Sequence, residues 1–237
     1  MNEAEFDKFA DEYRQLHQRS IRLSGEEPEF FAEYKVRDVA EFLGDRARGQ
    51  ALRVLDFGAG TGTSVPHFRR HLPAARLTCL DVSRKSLAVG QERFAGQAEF
   101  VHFNGRQIPY EDGAFDVAFA ACVFHHIDPE QHVPLLAEIR RILTDAGTLF
   151  LFEHNPLNPL TVRAVNTCPF DENAVLIRAR NLIERMQSVG FSALSRRYRF
   201  FFPGPLRALR PLERFLTWLP LGAQYFVVGE KGNRARP

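Results

Sequence analysis

The feature that most constrains this sequence is a glycine-rich turn directly after a strand-like run. Residues 53–57 (RVLDF) are largely apolar and β-prone, which predicts a buried strand. Gly58, Gly60 and Gly62 follow on alternate positions, so the backbone can turn tightly and let a ligand approach closely. Pro66 suits the first turn of a helix. Strand, turn and helix together predict the ligand-binding edge of a doubly wound α/β sheet.

The spacing of this turn argues against two phosphate-binding motifs. A dinucleotide fingerprint requires a third glycine three positions after the second, where this chain has Thr63. A P-loop requires a lysine before Ser or Thr, and the turn contains no lysine. Asp56, near the end of the strand, is acidic, whereas a phosphate-binding turn would require a basic residue. The turn therefore favours a ligand that combines an adenosine with a positively charged amino group.

A second acid follows the next apolar run. Residues 75–82 predict a strand, and Asp81 lies 21 positions after Gly60. In doubly wound folds, a carboxylate about 20 residues beyond the glycine turn binds the ribose hydroxyls. The alternative is a helix cap ahead of Arg84. Strand, acid and distance together favour the ribose-binding role.

These segments resemble the class I, seven-stranded S-adenosylmethionine (SAM) methyltransferases. Residues 53–62 are similar to the first motif of that family, Asp81 to its second, and residues 108–117 to the run ahead of its fourth strand. The resemblance implies an α/β, Rossmann-like, doubly wound seven-stranded sheet with an N-terminal helical cap. The implied strand order is 3-2-1-4-5-7-6, with the last strand antiparallel. It also implies S-adenosyl-L-methionine as the cofactor.

The resemblance further implies a set of cofactor-binding residues near the ends of the first four strands. They are Asp56, Gly58, Ala59, Gly60, Asp81, Val82, Asn104, Gly105 and Ala121. Asn104 departs from the family, which usually has Asp there to contact the adenine amino group. An amide oxygen can still accept that hydrogen bond. The alternative is that Asn104 and Gly105 simply form a turn.

Two segments with helical apolar spacing precede the glycine turn, at residues 5–22 and 29–43. As a cap over the cofactor, they would bring Tyr13 and Lys35 to SAM and Tyr34 to the acceptor pocket. A lysine can bind the methionine carboxylate, and an aromatic ring can meet the sulfonium through cation–π attraction. The alternative is that both helices only pack beside the sheet.

Three residues near the ends of the fourth and fifth strands are candidate catalytic groups. His125, Glu153 and His154 could each take a proton from an acceptor that loses one during methyl transfer. Asn155 and Asn158 follow in a proline-containing loop. They predict either substrate-pocket contacts or a network of Asx turns that fixes the loop and caps the next helix.

The histidine pair at 125–126 also raises the question of a metal. Neighbouring side chains on a strand point to opposite faces, so such a pair rarely binds one ion. Asp128 and His132 are the nearby residues that could complete a ligand set. Because the strand geometry disfavours a shared ion, the sequence predicts no metal site.

Three further segments carry structural predictions. Residues 145–147 predict a turn, and residues 173–189 predict a helix. Segment 203–220 repeats apolar residues at helical spacing, with arginines between them. We expect this segment to pack on the sheet. Its alternatives are a lid over the acceptor pocket and weak association with a membrane surface through residues 205–219.

The resulting organisation is a helical cap and one catalytic domain. The cap comprises residues 1–48, and the SAM-binding domain comprises residues 49–231, with inserts at 154–172 and 203–220. Residues 232–237 form a polar tail.

Composition narrows the partners and the compartment. The 31 basic and 29 acidic residues leave a net charge of +2, which indicates no nucleic-acid partner. Three scattered cysteines are typical of reduced thiols in a cytoplasmic protein. No apolar run approaches the ~18 residues that a spanning helix requires, so no stable membrane insertion is expected. The expected partner is a small-molecule acceptor, and the oligomeric state stays open.

The sequence therefore predicts transfer of a methyl group from SAM to a small hydrophobic metabolite by in-line displacement. Three alternatives remain. SAM could cyclise and release methylthioadenosine. The chain could instead bind SAM without turnover. An NAD-dependent oxidoreductase is the third alternative, and the glycine spacing argues against it.

Overall fold

The structure, a computed structural model, describes residues 25–232, apart from the side chains at positions 48, 49 and 170. Its strands are β1 Arg53–Phe57, β2 Arg76–Asp81, β3 Glu99–His102, β4 Phe115–Ala121, β5 Leu143–His154, β6 Ser192–Arg199 and β7 Gln224–Glu230. They form one seven-stranded sheet in the order β3-β2-β1-β4-β5-β7-β6. β7 runs antiparallel to both of its neighbours. The predicted Rossmann-like fold and strand order are confirmed.

Helices cover both faces of this sheet. They are α1 Pro28–Leu43, α2 Asp45–Gly49, α3 Val65–His71, α4 Arg84–Arg93, α5 His132–Ile142, α6 Pro159–Asn166 and α7 Ala179–Ser188. The second predicted N-terminal helix is thus confirmed as α1, whereas the first, at residues 5–22, lies outside the described residues. None of the helices between residues 25 and 232 has the length and apolar character that a membrane-spanning segment requires.

Two apolar layers hold the sheet between the helices. Neighbouring residues of β1 alternate between them, since Val54 packs in one layer and Leu55 in the other. One layer receives the apolar faces of α5 and α7, and the other receives those of α1 and α3. A parallel strand covered on both faces is apolar almost throughout, which explains the composition of the predicted strands.

Two secondary-structure predictions are wrong. The helix expected over residues 173–189 begins only at Ala179, because tertiary hydrogen bonds hold the preceding residues extended: Val175 N–H donates to His125 O at 2.8 Å, and the Tyr225 hydroxyl donates to Ile177 O at 2.7 Å. The turn expected at residues 145–147 lies inside β5. The pairing of β5 with β4 is irregular near that point, so the extra residues are absorbed within the strand.

The insert at 203–220 also differs from expectation. It contains a 3₁₀ segment, Gly204–Phe215, none of whose residues is buried. Pro211, inside this segment, lacks the N–H group that a regular α-helix would use. The segment therefore does not pack its apolar residues on the sheet. Its exposed apolar side chains, together with those just after it, are Leu206, Leu209, Leu212, Phe215, Trp218 and Leu221.

Candidate active site at the ends of the central strands

The glycine turn is held against the neighbouring strand and leaves open space at one position. The N–H groups of Gly58 and Ala59 both donate to Leu80 O, at 2.8 and 3.1 Å. Gly58 has a φ of +73°, and a Cβ there would lie 2.5 Å from a methyl carbon of Val123. Gly60 has a φ of +53°, and a Cβ there would meet no atom within 4 Å. The turn thus packs tightly at Gly58 and is accessible to a ligand at Gly60.

Asp81 faces this open part of the turn from the end of β2. It is buried, and its Oδ2 accepts a 2.8 Å hydrogen bond from Gly60 N–H. Its Oδ1 accepts another, also 2.8 Å, from Ser83 N–H. The residue that caps α4 is Ser83, whose hydroxyl accepts from Ser86 N–H at 3.0 Å. The simple helix-cap alternative for Asp81 is therefore wrong, and Val82 lies buried between the acid and this cap.

Asp56 is the second buried carboxylate beside the turn. It accepts a hydrogen bond from the Ser64 hydroxyl. Burial, supported by the nearby Asp81 charge, raises the pKa of Asp56 to about 7, although the Ser64 hydrogen bond and the Lys35 charge act in the opposite direction. A cationic group near Asp56 would favour its ionised form.

Helix α1 brings a buried lysine to the same edge. Lys35 is 7% exposed, and its Nζ lies 3.3 Å from Cys122 Sγ and 5.9 Å from the centre of the Tyr34 ring. Within residues 25–232, no carboxylate oxygen forms an ion pair with this ammonium. The Tyr34 hydroxyl donates to Gln224 Oε1, which joins the cap helix to β7. Because a buried charge is costly without a counter-charge, Lys35 is suited to binding an anionic group.

The end of β4 contains a residue in an unusual conformation. Ala121 is half-buried and ends the strand, as predicted for a residue next to the ligand. Cys122 follows with a φ of +59°, and its N–H donates to Phe152 O at 2.8 Å. Positive φ is rare for residues other than glycine and is concentrated at functional sites. Sequence reasoning had assigned no site role to Cys122, although its place directly after Ala121 was the available signal.

Gln224 is a second residue that the sequence did not single out. It lies at the start of β7, and its Nε2 is 3.3 Å from His154 Nδ1 and 3.9 Å from Cys122 Sγ. Its Oε1 accepts from the Tyr34 hydroxyl. This one amide therefore connects the cap, β4 and β5, and only the antiparallel placement of β7 brings it there.

Two of the candidate catalytic residues form a buried pair. Glu153 Oε2 lies 2.6 Å from His125 Nδ1, and Glu153 Oε1 accepts from Phe124 N–H at 2.8 Å. Burial opposes a charge on His125, but the carboxylates of Glu153 and Asp171 outweigh it and raise the pKa of His125 to about 10. The Glu153 carboxyl is likewise buried, and His125 holds its pKa below the ordinary value.

The third candidate, His154, is in a different electrostatic state. Its ring centre lies 5.1 Å from that of His125. Burial, followed by repulsion from His125, lowers the pKa of His154 to about 4. Of the three candidates, only His154 is partly exposed. The structure thus brings the three side chains together, and their catalytic role stays a prediction.

The adjacent histidines do not follow strand geometry. They belong to a 3₁₀ turn, Phe124–His126, and the ring centres of His125 and His126 are 4.1 Å apart. The expectation that they point to opposite faces is therefore wrong. Their shared neighbour is Asp171, whose Oδ1 lies 3.6 Å from His125 Nε2 and 3.4 Å from His126 Nε2.

Asp128 and His132, which the sequence offers as further metal ligands, form other contacts. His132 Nε2 lies 2.9 Å from Ile127 O, and Asp128 Oδ1 accepts from Glu130 N–H at 3.0 Å. Asp171 comes from the insert after β5 and is far away in sequence, so spacing alone offered no signal for its contact with the histidines.

The side chains of three asparagines that are predicted to bind ligands form hydrogen bonds to backbone groups. Asn104 Oδ1 accepts from the N–H groups of the residues two and three positions ahead, at 2.9 Å each, and buried Gly105 follows with a φ of +77°. Asn155 Nδ2 donates to Gly222 O at 2.7 Å. Asn158 caps α6 and donates to Leu221 O at 2.8 Å. All three therefore form the turn and capping networks that were the alternatives, and their ligand contacts stay predictions.

Comparison with known proteins shows similarity to methyltransferases. A family model described as a methyltransferase domain matches residues 54–147. The chain is 32% identical over 106 residues to a demethylmenaquinone methyltransferase from Thermotoga maritima, covering 45% of each protein. It is 29% identical over 125 residues to the ubiquinone/menaquinone biosynthesis C-methyltransferase UbiE of Ectopseudomonas mendocina, covering 50% of this chain and 48% of that protein. Residues 54–147 are thus similar to a methyltransferase domain, and the sheet has the strand order that the resemblance to the class I SAM-dependent methyltransferases implies.

A solved methyltransferase structure has a similar fold. A SAM-dependent methyltransferase from Thermotoga maritima superposes with a TM-score of 0.68, at 18% identity, over 97% of this chain and 99% of that one. At that identity the likeness shows the fold alone. The curated relatives above match over about half of their own length.

SAM is the cofactor that the similarity to SAM-dependent methyltransferases implies, and the residues present fit it. A Cβ at Gly60 would meet no atom within 4 Å, so this part of the turn leaves space for the adenosine of such a ligand. The Asp81 carboxylate faces that space and can accept from ribose hydroxyls. Lys35 and Asp56 offer one cation and one acid for the two charged ends of an amino acid. The remaining predicted cofactor contact, Tyr13, lies outside the described residues.

Proposed function

We propose that this protein is a methyltransferase that transfers the methyl group of SAM to a small hydrophobic acceptor with a reduced, quinol-type aromatic ring. The observation that carries the proposal is the position of Lys35. Its buried ammonium contacts Cys122 after the end of β4, its charge acts on the buried Asp56, and it forms no carboxylate ion pair among the described residues. A ligand with a carboxylate and an ammonium on one carbon would complement this pair.

The binding roles follow from the contacts. Asp81 would hold the ribose hydroxyls, the turn at Gly60 the adenosine, Asp56 the amino group and Lys35 the carboxylate. Helix α1 would act as a cap, because Tyr34 bonds to Gln224 and Asp38 pairs with Arg199 across the sheet edge. When bound, SAM supplies a methyl group on a sulfonium, which is already a good leaving group. The protein's main contribution is then to orient the acceptor and exclude water.

Two observations support a hydrophobic acceptor. Both curated relatives are named for quinone methylation. In addition, the segment from Gly204 to Leu221 exposes several large apolar side chains, with Trp218 71% exposed. Its C-terminal end reaches the candidate site, since Asn155 Nδ2 donates to Pro220 O and Gly222 O. An apolar surface that leads to the acceptor side would suit a poorly soluble aromatic substrate.

Product identification tests the proposal. Purified protein would be incubated with SAM and, separately, a short-chain demethylmenaquinol, a catechol and a small primary amine. We expect S-adenosylhomocysteine to form in proportion to a methylated quinol. Release of methylthioadenosine without any acceptor would instead indicate cyclisation of SAM. Tight binding of SAM with no turnover of any acceptor class would indicate a binding module. Binding of NAD in place of SAM would reject the assignment altogether.

A further inference from the structure

Three potential metal ligands converge beside the proposed cofactor edge. His125, His126 and Asp171 each offer one ligand atom, and these atoms lie within 4.8 Å of one another. Two come from the turn after β4 and the third from the insert after β5. Imidazole nitrogen and carboxylate oxygen are ligands that zinc-type divalent ions accept. The three side chains therefore offer ligand atoms of the types that such an ion binds.

The separations match the edges of a coordination polyhedron better than hydrogen bonds. Asp171 Oδ1 lies 3.6 Å from His125 Nε2 and 3.4 Å from His126 Nε2. Hydrogen bonds between nitrogen and oxygen are about 2.7–3.2 Å long. Two ligand atoms that are each about 2.0–2.2 Å from a tetrahedral Zn²⁺ lie roughly 3.3–3.5 Å apart. The two separations from Asp171 therefore suit a shared ion, and the two histidine ligand atoms lie within 4.8 Å of each other.

The carboxylate also has an unsatisfied oxygen. Asp171 is 8% exposed, and its Oδ1 is buried without a hydrogen-bond partner. The His125 imidazole can offset the charge of this oxygen from 3.6 Å, but that separation is too long for a hydrogen bond, and a buried oxygen without one is costly. This is an observation independent of the donor spacing, and it points to the same position.

The surroundings orient one of the imidazoles for coordination. Glu153 Oε2 lies 2.6 Å from His125 Nδ1, on the side of the ring opposite to Asp171. Glu153 is itself fixed by Phe124 N–H at 2.8 Å. A metal-binding histidine usually donates its other ring nitrogen to a carboxylate or carbonyl, which sets the tautomer and the ring orientation. Glu153 has the position of such an outer ligand.

We propose that His125, His126 and Asp171 bind a divalent transition-metal ion of the Zn²⁺ type, with Glu153 as the positioning residue for His125. Three protein ligands leave a fourth coordination position open, as in catalytic rather than structural zinc sites. The His126 side chain is 11% exposed, compared with 1% for His125, so an ion would enter from the His126 side. The proposal does not depend on the methylated acceptor.

Metal content and cobalt spectroscopy test this site without an activity assay. Full-length, tag-free protein would be treated with chelator, dialysed, and titrated with Zn²⁺ and, separately, with Co²⁺. We expect one ion per chain, and the visible d–d absorption of tetrahedral Co²⁺ without a strong thiolate charge-transfer band. That spectrum would separate this site from any set that uses the three cysteines. Failure to retain or titrate either ion would overturn the proposal.

Matched variants locate the ion. Asp171→Asn and His126→Gln should each abolish the Co²⁺ spectrum, and Glu153→Gln should weaken binding by roughly 10–100-fold. His132→Gln is the control, because this buried histidine lies at the start of α5, outside the proposed ligand set, and its Nε2 lies 2.9 Å from Ile127 O. It should bind Co²⁺ as the unmodified protein does. Because the His126 side chain is only partly buried, the His126→Gln variant should fold even if Asp171→Asn does not. Unchanged Co²⁺ binding in a folded His126→Gln or Asp171→Asn variant would show that the ion binds elsewhere.

Discussion

The backbone N–H of Gly60 donates a 2.8 Å hydrogen bond to Oδ2 of Asp81, across from the glycine turn to the end of β2. This contact joins the two elements that the proposed ligand would bridge. It also holds the carboxylate in place before any ligand arrives, so little reorganisation would be needed on binding.

Replacing this acid tests the ribose-binding role. Asp81→Asn should weaken binding of S-adenosylhomocysteine by roughly 10–100-fold, because hydrogen bonds to a charged partner contribute about 1.5–3 kcal/mol. Calorimetric titration measures the change. Asp116→Asn is the control: it makes the same substitution near the other end of the sheet, where Asp116 pairs with Arg53 at 3.1 Å. Equal losses in both variants would mean that Asp81 acts only through stability.

The role of Lys35 can be tested with two ligands. Lys35→Met keeps an apolar stem and removes the charge that lies beside Cys122. We expect a loss of roughly tenfold or more in affinity for S-adenosylhomocysteine, which carries the carboxylate. Methylthioadenosine lacks the amino-acid group, so its affinity should change little. If both ligands lose affinity equally, Lys35 does not bind the carboxylate.

Asp56 should make stability depend on pH. Burial raises its pKa from 3.8 to about 7 in the folded chain. Between these values the folded state binds more protons than the unfolded state. The free energy of unfolding should therefore fall as pH rises from about 4 to 7, by at most about 1.4 kcal/mol per pH unit. Urea unfolding across this range should show a flatter profile for Asp56→Asn. A profile that stays equally steep would exclude Asp56 as its source.

Two glycines with nearly the same φ allow the cost of a positive φ to be measured separately from the cost of a steric clash. Gly58 and Gly96 have φ values of +73° and +74°, but only at Gly58 would a Cβ meet another residue, Val123, at 2.5 Å. Gly96→Ala should cost about 1 kcal/mol, the usual penalty for positive φ. Gly58→Ala should cost clearly more and should weaken SAM binding, and the double variant Gly58→Ala/Val123→Ala should lose less stability than Gly58→Ala and Val123→Ala added together. Chemical unfolding of the four variants measures these differences. Similar losses at the two glycines would argue against the clash.

Local patterns were sufficient for the parts of the site that adjoin the first two strands. Asp81 could be placed from its distance to the glycine turn, because the turn, helix and next strand form one continuous unit of the chain. The order of the seven strands followed from the resemblance to the family, and the structure confirms it. Asn104 could not be assigned in this way, because one amide oxygen can serve a ligand or a turn equally well, and in the structure it bonds to the turn.

Contacts between segments that are far apart in the chain could not be predicted from the sequence. Nothing in its spacing brings Asp171 to His125, or Gln224 to Tyr34, because each pair is separated by whole elements of the sheet. The helix expected at residues 173–189 was shortened for the same kind of reason: hydrogen bonds to His125 O and from Tyr225 outweigh the local helical preference. The exposed 3₁₀ segment shows that periodicity alone does not say which surface, if any, covers an apolar face.

The sequence by itself determined that this chain forms a doubly wound sheet with a glycine turn and two acids at one edge. Those features depend on the residue types and spacing of short, continuous segments, and such preferences act before the chain is packed. The tertiary structure decided which side chains meet at that edge: Lys35 with Cys122, and Asp171 with the two histidines. These contacts arise only when distant segments pack together, since burial and the need for polar partners then select the pairs.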